Sequence, residues 1–170
     1  KEQQAIEALY EKIEAQAFEK VRGTFKSSCP IFVLVAGSQG VGKTHLVERL
    51  QKGRKDVFVE CDVDSILAQM PEVKKAIEKA ERELGQDFEM AGTAHYDANT
   101  HRTRVEAAVE KYRPAAKYIS DRLMSSCLKN GINVIVETNA KTPKIGAFID
   151  NVKKMGVILE GHICDAPLSV

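Results

Sequence analysis

The run Gly37-Ser38-Gln39-Gly40-Val41-Gly42-Lys43-Thr44 has the spacing G-x-x-x-x-G-K-[ST], and residues of these types at this spacing can hold phosphate. The glycines let the backbone curl until successive N–H groups face inward, and the start of a following helix adds its dipole, so the loop favours a bound polyphosphate. Lys43 is then placed to contact β- and γ-phosphates. The Thr44 hydroxyl is placed to ligate a Mg²⁺ that also bridges the phosphate oxygens. Two further groups could work with the loop. Asp62 and Asp64 form a carboxylate pair, and Glu137-Thr138-Asn139-Ala140-Lys141 combines an acid, an amide and a base. A carboxylate beside a phosphate loop can take the proton of a substrate hydroxyl, and Asp62 is the candidate. Glu137 has two readings, acceptor ligand or holder of the metal's water shell, and the residues leave both open.

Hydrophobic patterning supplies the elements that must position these groups. The apolar run Ile31 to Ala36 reads as a buried strand leading into the loop, and Lys43 to Gln51 as the helix leaving it, with Leu46, Val47 and Leu50 inward and His45 at the surface. A second strand, Val57 to Cys61, carries Asp62 and Asp64 to the carboxyl end of the sheet, where ligands of open parallel sheets collect. Asp64 or Ser65 would cap a helix beginning at Ile66. A charged helix follows from Pro71 to Leu84, stopped at Gly85. Phe88 to Thr103 reads as a polar loop, solvated or covering substrate, and its His95, Asp97 and His101 match no familiar metal spacing. A short helix from Val105 to Tyr112 stops near Pro114, and a longer one runs from Ala115 to Lys129. The third strand, Ile132 to Val136, delivers Glu137, Asn139 and Lys141 to the same mouth. Thr142-Pro143 opens a helix to Met155, and a fourth strand runs from Val157 to Cys164. Strands alternating with helices predict an α/β doubly wound parallel sheet. Ahead of it, residues 1–22 form an amphipathic helix with Ile6, Leu9, Ile13, Ala17 and Val21 on one side, expected to pack on the sheet.

A chain of 170 residues fits one domain with a sizeable core. The formal net charge of +1 gives no overall field for nucleic acid or an anionic membrane. No apolar stretch is long enough to span a bilayer, and the charged N-terminus does not read as a signal peptide, so a cytoplasmic location is expected. Cys29, Cys61, Cys127 and Cys164 are far apart with no C-x-x-C spacing, which fits free thiols better than a zinc site or a disulfide framework. The chain opens in mid-helix and stops just after a strand, as a piece of a longer protein would.

The phosphate loop, the strand ending in Asp62-Val63-Asp64-Ser65 with Pro71 several residues on, and the helix end Leu128-Lys129-Asn130-Gly131 running through Ile132-Asn133-Val134-Ile135-Val136 into Glu137-Thr138-Asn139 together resemble the zeta-toxin family of P-loop kinases. The resemblance runs from about Ile31 to Pro167. It implies a three-layer, nucleoside-kinase-like sandwich and transfer of the γ-phosphate of ATP or GTP, with Mg²⁺, to UDP-N-acetylglucosamine, with an antitoxin as protein partner. Residue by residue it makes Asp62 the base and sets Asp121 and Glu137 among the acids that line the sugar-nucleotide pocket. Asn139 and Lys141 stand where the family has a threonine and an arginine near substrate. Other relatives phosphorylate nicotinamide dinucleotides, which leaves the acceptor open. The chain departs from the family in having Met70-Pro71 in place of His-Pro, Lys141 in place of an arginine whose planar fork binds phosphate differently, and a longer segment between Pro71 and Pro114. The family's lid arginines follow the last strand and would fall beyond Val170. A different class of reading is a nucleotide-gated binding module in which ATP or GTP orders loops around a protein partner. Such a module has no need of Asp62 or of the polar set Asp121, Glu137 and Asn139.

Overall fold

The computed structural model describes residues 2–24, 26–38, 40–90, 98–138 and 145–164, leaving aside the side chains of residues 80, 83–90 and 98–105. It falls into two compact units, one of residues 3–62 and 121 onward, the other of residues 63–120.

The first unit contains β1 (Ile31–Gly37), β2 (Phe58–Glu60), β3 (Asn133–Thr138) and β4 (Ile158–Cys164). All pair in parallel, in the order β2-β3-β1-β4. The central strand β1 is apolar throughout and buried from Phe32 onward, as a strand covered on both faces must be. Alternation sends its side chains two ways. Val33 and Val35 join Ile135, Phe58 and Val47, the last from α2 (Lys43–Lys52). Phe32 turns to the other face and meets the ring of Phe148 edge-on, at 5.9 Å between centroids; Phe148 belongs to α6 (Ile145–Lys153). The expected α/β doubly wound sheet is therefore present, with a helix on each face.

α1 (Glu2–Lys20) buries Tyr10 and Ile13. Its described hydrogen bonds to other elements go to the C-terminal part of α5 (Ala98–Lys129), and Lys20 at its end acts on Glu60 of β2. The Arg122 guanidinium lies 3.9 Å from the centre of the Tyr10 ring and pairs with Glu7 at 2.6 Å. Glu14 accepts hydrogen bonds from the hydroxyls of Tyr10 and Ser126. At the opposite end of the strands from the phosphate loop, the Asn133 side-chain oxygen accepts from the Ile31 N–H at 2.8 Å. In the turn after α2, Arg54 forms a two-pronged pair with Glu160 of β4, with one bond of 3.0 Å, and lies 5.5 Å from the centre of the Phe58 ring.

The second unit holds α3 (Val63–Leu67), α4 (Pro71–Met90) and the first part of α5. Sequence-based boundaries change here. α3 starts at Val63 instead of Ile66, so Asp64 and Ser65 lie inside its first turn rather than capping it; burial of Ile66 and Leu67 selects that phase. α4 runs past Gly85, where a single glycine costs about 1 kcal/mol relative to alanine and does not by itself stop a helix. α5 is continuous through Pro114, against the expected break. Proline removes a hydrogen bond to the carbonyl four residues back, here Glu110, but both Pro114 and Glu110 are exposed and water can replace it. Ala116, Ile119, Leu123 and Cys127 recur at helical spacing and are buried; their burial, each large side chain contributing about 1.5–3 kcal/mol, outweighs the proline penalty of about 3 kcal/mol. The polar loop expected from Phe88 to Thr103 is helical at both ends, residues 88–90 closing α4 and residues 98–103, with His101, opening α5; residues 91–97, with His95 and Asp97, lie outside the described residues.

Candidate nucleotide site

β1 ends on Gly37, and that glycine is dictated by closeness: a Cβ there would lie 2.6 Å from the Cys164 carbonyl oxygen and 2.8 Å from Cγ1 of Val41. Gly40 and Gly42 are required for a different reason. Their φ angles are 78° and 88°, in the left-handed region that other residues enter at a cost, and a Cβ on either would point into open space. Gly42 is the N-cap of α2 and supplies no side-chain bond to the first turn. The Leu46 N–H closes that turn on the Gly42 carbonyl at 3.1 Å, while the preceding N–H groups of the turn have no helical acceptor and favour an anion. Lys43 folds back, its ammonium donating to the carbonyls of Gly37 at 3.1 Å and Ser38 at 2.8 Å. Ser38 is exposed and Val41 half-buried. Gln39 lies outside the described residues.

Thr44, exposed in the first turn of α2, is close enough to the Glu137 carboxylate to lower its pKa. Strand geometry brings Glu137 there: on β3 it is two residues beyond Ile135, on the side that packs against α2. Burial raises the Glu137 pKa, the nearby carboxylates Asp62 and Glu60 raise it further, and Thr44 and Lys43 oppose them. Asp62, immediately before α3, is half-buried and within electrostatic reach of Glu137.

The other expected acceptor-side residues are arranged differently. Asp64 is exposed and belongs to the second unit, where Arg113 pairs with it at 3.5 Å. Asp121 is exposed on α5, and its charge is felt at the Cys61 thiol. Asn139 and Lys141 lie outside the described residues. Sequence reasoning passed over Glu60, which read as one more residue of a strand, and Arg113, whose partner is far away in the chain. His45 is exposed, as expected. All four cysteines are free. Burial pushes the Cys61 thiol well up and that of Cys127 to about 12, so neither is poised to react or to bind metal.

A hard cation bound with phosphate takes oxygen ligands, and the Thr44 hydroxyl beside Glu137 fits that preference. Among the described residues no group of three or more His, Cys, Asp or Glu side chains could hold a metal by itself; a Mg²⁺ held beside Thr44 would take its remaining ligands from water and phosphate, as is usual for that ion.

Fold and loop together define a P-loop α/β protein. Within that class, the zeta toxin family model matches residues 14–94, bearing out the resemblance read from the motifs. A chain solved in work on the PezAT chromosomal toxin–antitoxin system of the human pathogen Streptococcus pneumoniae has the same fold, with a TM-score of 0.63 at 21% identity. That match covers 92% of this chain and 56% of the other, so the chain spans little more than half of that protein's length. A chain of a Pnkp1/Rnl/Hen1 complex matches with a TM-score of 0.40 at 15% identity, over 86% of this chain and 39% of that one. No curated protein matches. Among the described residues no helix is long and apolar enough to cross a membrane.

Proposed function

We propose that the protein is a zeta-toxin-like small-molecule kinase that transfers the γ-phosphate of ATP or GTP to a hydroxyl of a sugar nucleotide such as UDP-N-acetylglucosamine. The observation that carries this reading is the meeting of donor loop and acids: the Lys43 ammonium is held by the loop carbonyls of Gly37 and Ser38, and Lys43, Thr44 and Asp62 all act on the Glu137 carboxylate. Phosphoryl transfer asks little covalent work of a protein; donor and acceptor must be held in line and the charge on the γ-oxygens neutralised. The loop N–H groups and Lys43 hold the donor phosphates. Thr44 would hold Mg²⁺, which when bound supplies the charge neutralisation, and Glu137 orients the Thr44 hydroxyl and the metal's water shell. Asp62 orients the acceptor hydroxyl and takes its proton, worth about 10²- to 10⁴-fold in rate. Asp64, Asp121, Asn139 and Lys141 are assigned to the acceptor side, with Asp64 sharing its charge with Arg113. A nicotinamide dinucleotide fits the same chemistry as an alternative acceptor. The likeness to a chain from a toxin–antitoxin system supports an antitoxin-like protein as partner. The test is incubation with γ-labelled ATP and, in parallel, UDP-N-acetylglucosamine, a nicotinamide dinucleotide and a metabolite extract. A labelled small molecule is expected, and label found only in inorganic phosphate would count against a kinase.

A further inference from the structure

α1 meets the C-terminal part of α5 through polar side chains. The Arg122 guanidinium pairs with Glu7 at 2.6 Å and lies 3.9 Å from the centre of the Tyr10 ring. One turn further along α5, the Ser126 hydroxyl donates to Glu14 at 2.5 Å, and the Tyr10 hydroxyl donates to the same carboxylate. Glu7 and Glu14 stand two turns apart on one side of α1, and Arg122 and Ser126 one turn apart on one side of α5. On α5 their row lies beside the row of Leu123 and Cys127, which is buried. Apolar contact has no preferred direction and leaves a helix free to roll, whereas hydrogen bonds are directional and a satisfied network fixes one arrangement. Arg122 and Glu7 are both partly exposed, so their attraction adds little stability. What the contact supplies is orientation.

Asp121 immediately precedes Arg122, about 100° round the same helix, and belongs to the same compact unit as Arg122 and its α1 partners. A roll of α5 by about 20° would carry a side-chain tip at the helix surface through about 2 Å, enough to break a hydrogen bond made there. We propose that Arg122 is a positioning residue for the acceptor side of the reaction proposed above: gripped by Glu7 and Tyr10 of α1, it fixes the roll of α5 and with it the placing of Asp121. α1 is then a working part of the kinase rather than a leading helix. This inference rests on the kinase reading for the role of Asp121 and adds to it the residues that hold Asp121 in place.

A double-mutant cycle tests it, with KM for ATP and for UDP-N-acetylglucosamine measured in the parent, Arg122→Ala, Asp121→Ala and the double variant. Arg122→Ala is expected to raise the KM of UDP-N-acetylglucosamine about three- to tenfold, as the weakening of one hydrogen bond would, and to leave the KM of ATP unchanged. Arg122→Lys, which keeps the charge but not the planar fork, should fall between it and the parent. In the double variant the acceptor KM should equal that of Asp121→Ala, since nothing is left to position. A merely structural role would give additive effects or raise both KM values together; either result, or an Arg122→Ala variant that matches the parent, overturns the proposal. If Arg122→Ala does not fold, Glu7→Gln releases the same contact from the α1 side and enters the cycle in its place. Transfer to UDP-N-acetylglucosamine with additive effects removes only the role of Arg122, whereas no transfer by the parent removes the reading of function and this inference with it.

Discussion

Replacing Gly37 by alanine should destabilise the protein more than replacing Gly40, although both lie in the same loop. A Cβ at Gly37 would sit 2.6 Å from the Cys164 carbonyl oxygen and 3.0 Å from Cys164 Cβ. Cys164 belongs to β4, which is held in parallel register against β1 from Ile31↔Ile158 to Gly37↔Cys164. A strand backbone cannot swing aside as a side-chain tip can, so the two strands must part by several tenths of an ångström at their carboxyl ends. Overpacking of this kind costs about 1–3 kcal/mol. For a domain of this size, 1 kcal/mol shifts the melting midpoint by about 2–4 °C, so a fall of about 2–12 °C follows. Gly40→Ala meets no atom within 4 Å and carries only the left-handed penalty at φ 78°, about 1–2 kcal/mol. Its methyl instead points into the open space where phosphates would lie. Melting curves with and without Mg–ATP separate the two effects. In the parent, ligand at a hundred times its Kd adds about 2.7 kcal/mol, and Gly40→Ala should lose most of that gain. The reasoning is refuted if Gly37→Ala melts with the parent or Gly40→Ala keeps the full nucleotide response.

Asp62→Asn should retain nucleotide binding and lose about 10²- to 10⁴-fold in phosphotransfer, because the amide is nearly isosteric but cannot take a proton; Asp64→Asn is the matched control, and a larger loss there would move the base to Asp64. Separate KM values for ATP and acceptor in Asp121→Ala and Glu137→Ala distinguish pocket from metal shell: a change confined to ATP or Mg²⁺ dependence in Glu137→Ala is expected from its place near Thr44 and Lys43, while Asp121→Ala should raise the acceptor KM alone. The Arg54 pair holds the Glu160 carboxyl below its usual pKa, so the stability it contributes is present above the unfolded value of about 4.3 and is lost as pH falls through the lower, folded one. Glu160→Gln should therefore melt lower than the parent at pH 7, with the difference shrinking in acid; a constant difference across pH would contradict the pairing.

The loop and the strands were legible in sequence because each is written locally. The motif places its glycines and Lys43 within one turn of chain, and β1 announces itself by six consecutive apolar residues from Ile31 to Ala36. The alternation of strands and helices was enough for the fold class. Helix limits were harder, since Pro114 is a local stop signal that the rest of α5 overrides and Gly85 alone costs too little to end α4. The approach of Thr44 on α2 to Glu137 on β3 is encoded by no spacing; the reading of Glu137 as part of a metal shell came only from its place after an apolar strand. The Arg113–Asp64, Arg54–Glu160 and Arg122–Glu7 pairs are likewise products of the fold. Glu60 was hidden because a charged residue at the end of a strand usually means no more than the start of solvent.

The central claim, that this loop is a donor site for metal-bound nucleotide, is met most directly by titrating Mg–ATP into the parent and into Lys43→Ala in the same calorimeter. The parent should bind one nucleotide, and Lys43→Ala should fold with an unchanged melting midpoint in the absence of ligand and bind much more weakly or not at all. Equal affinities in two folded proteins would contradict the account, because the ammonium that the structure fixes above Gly37 and Ser38 would then have no phosphate to meet.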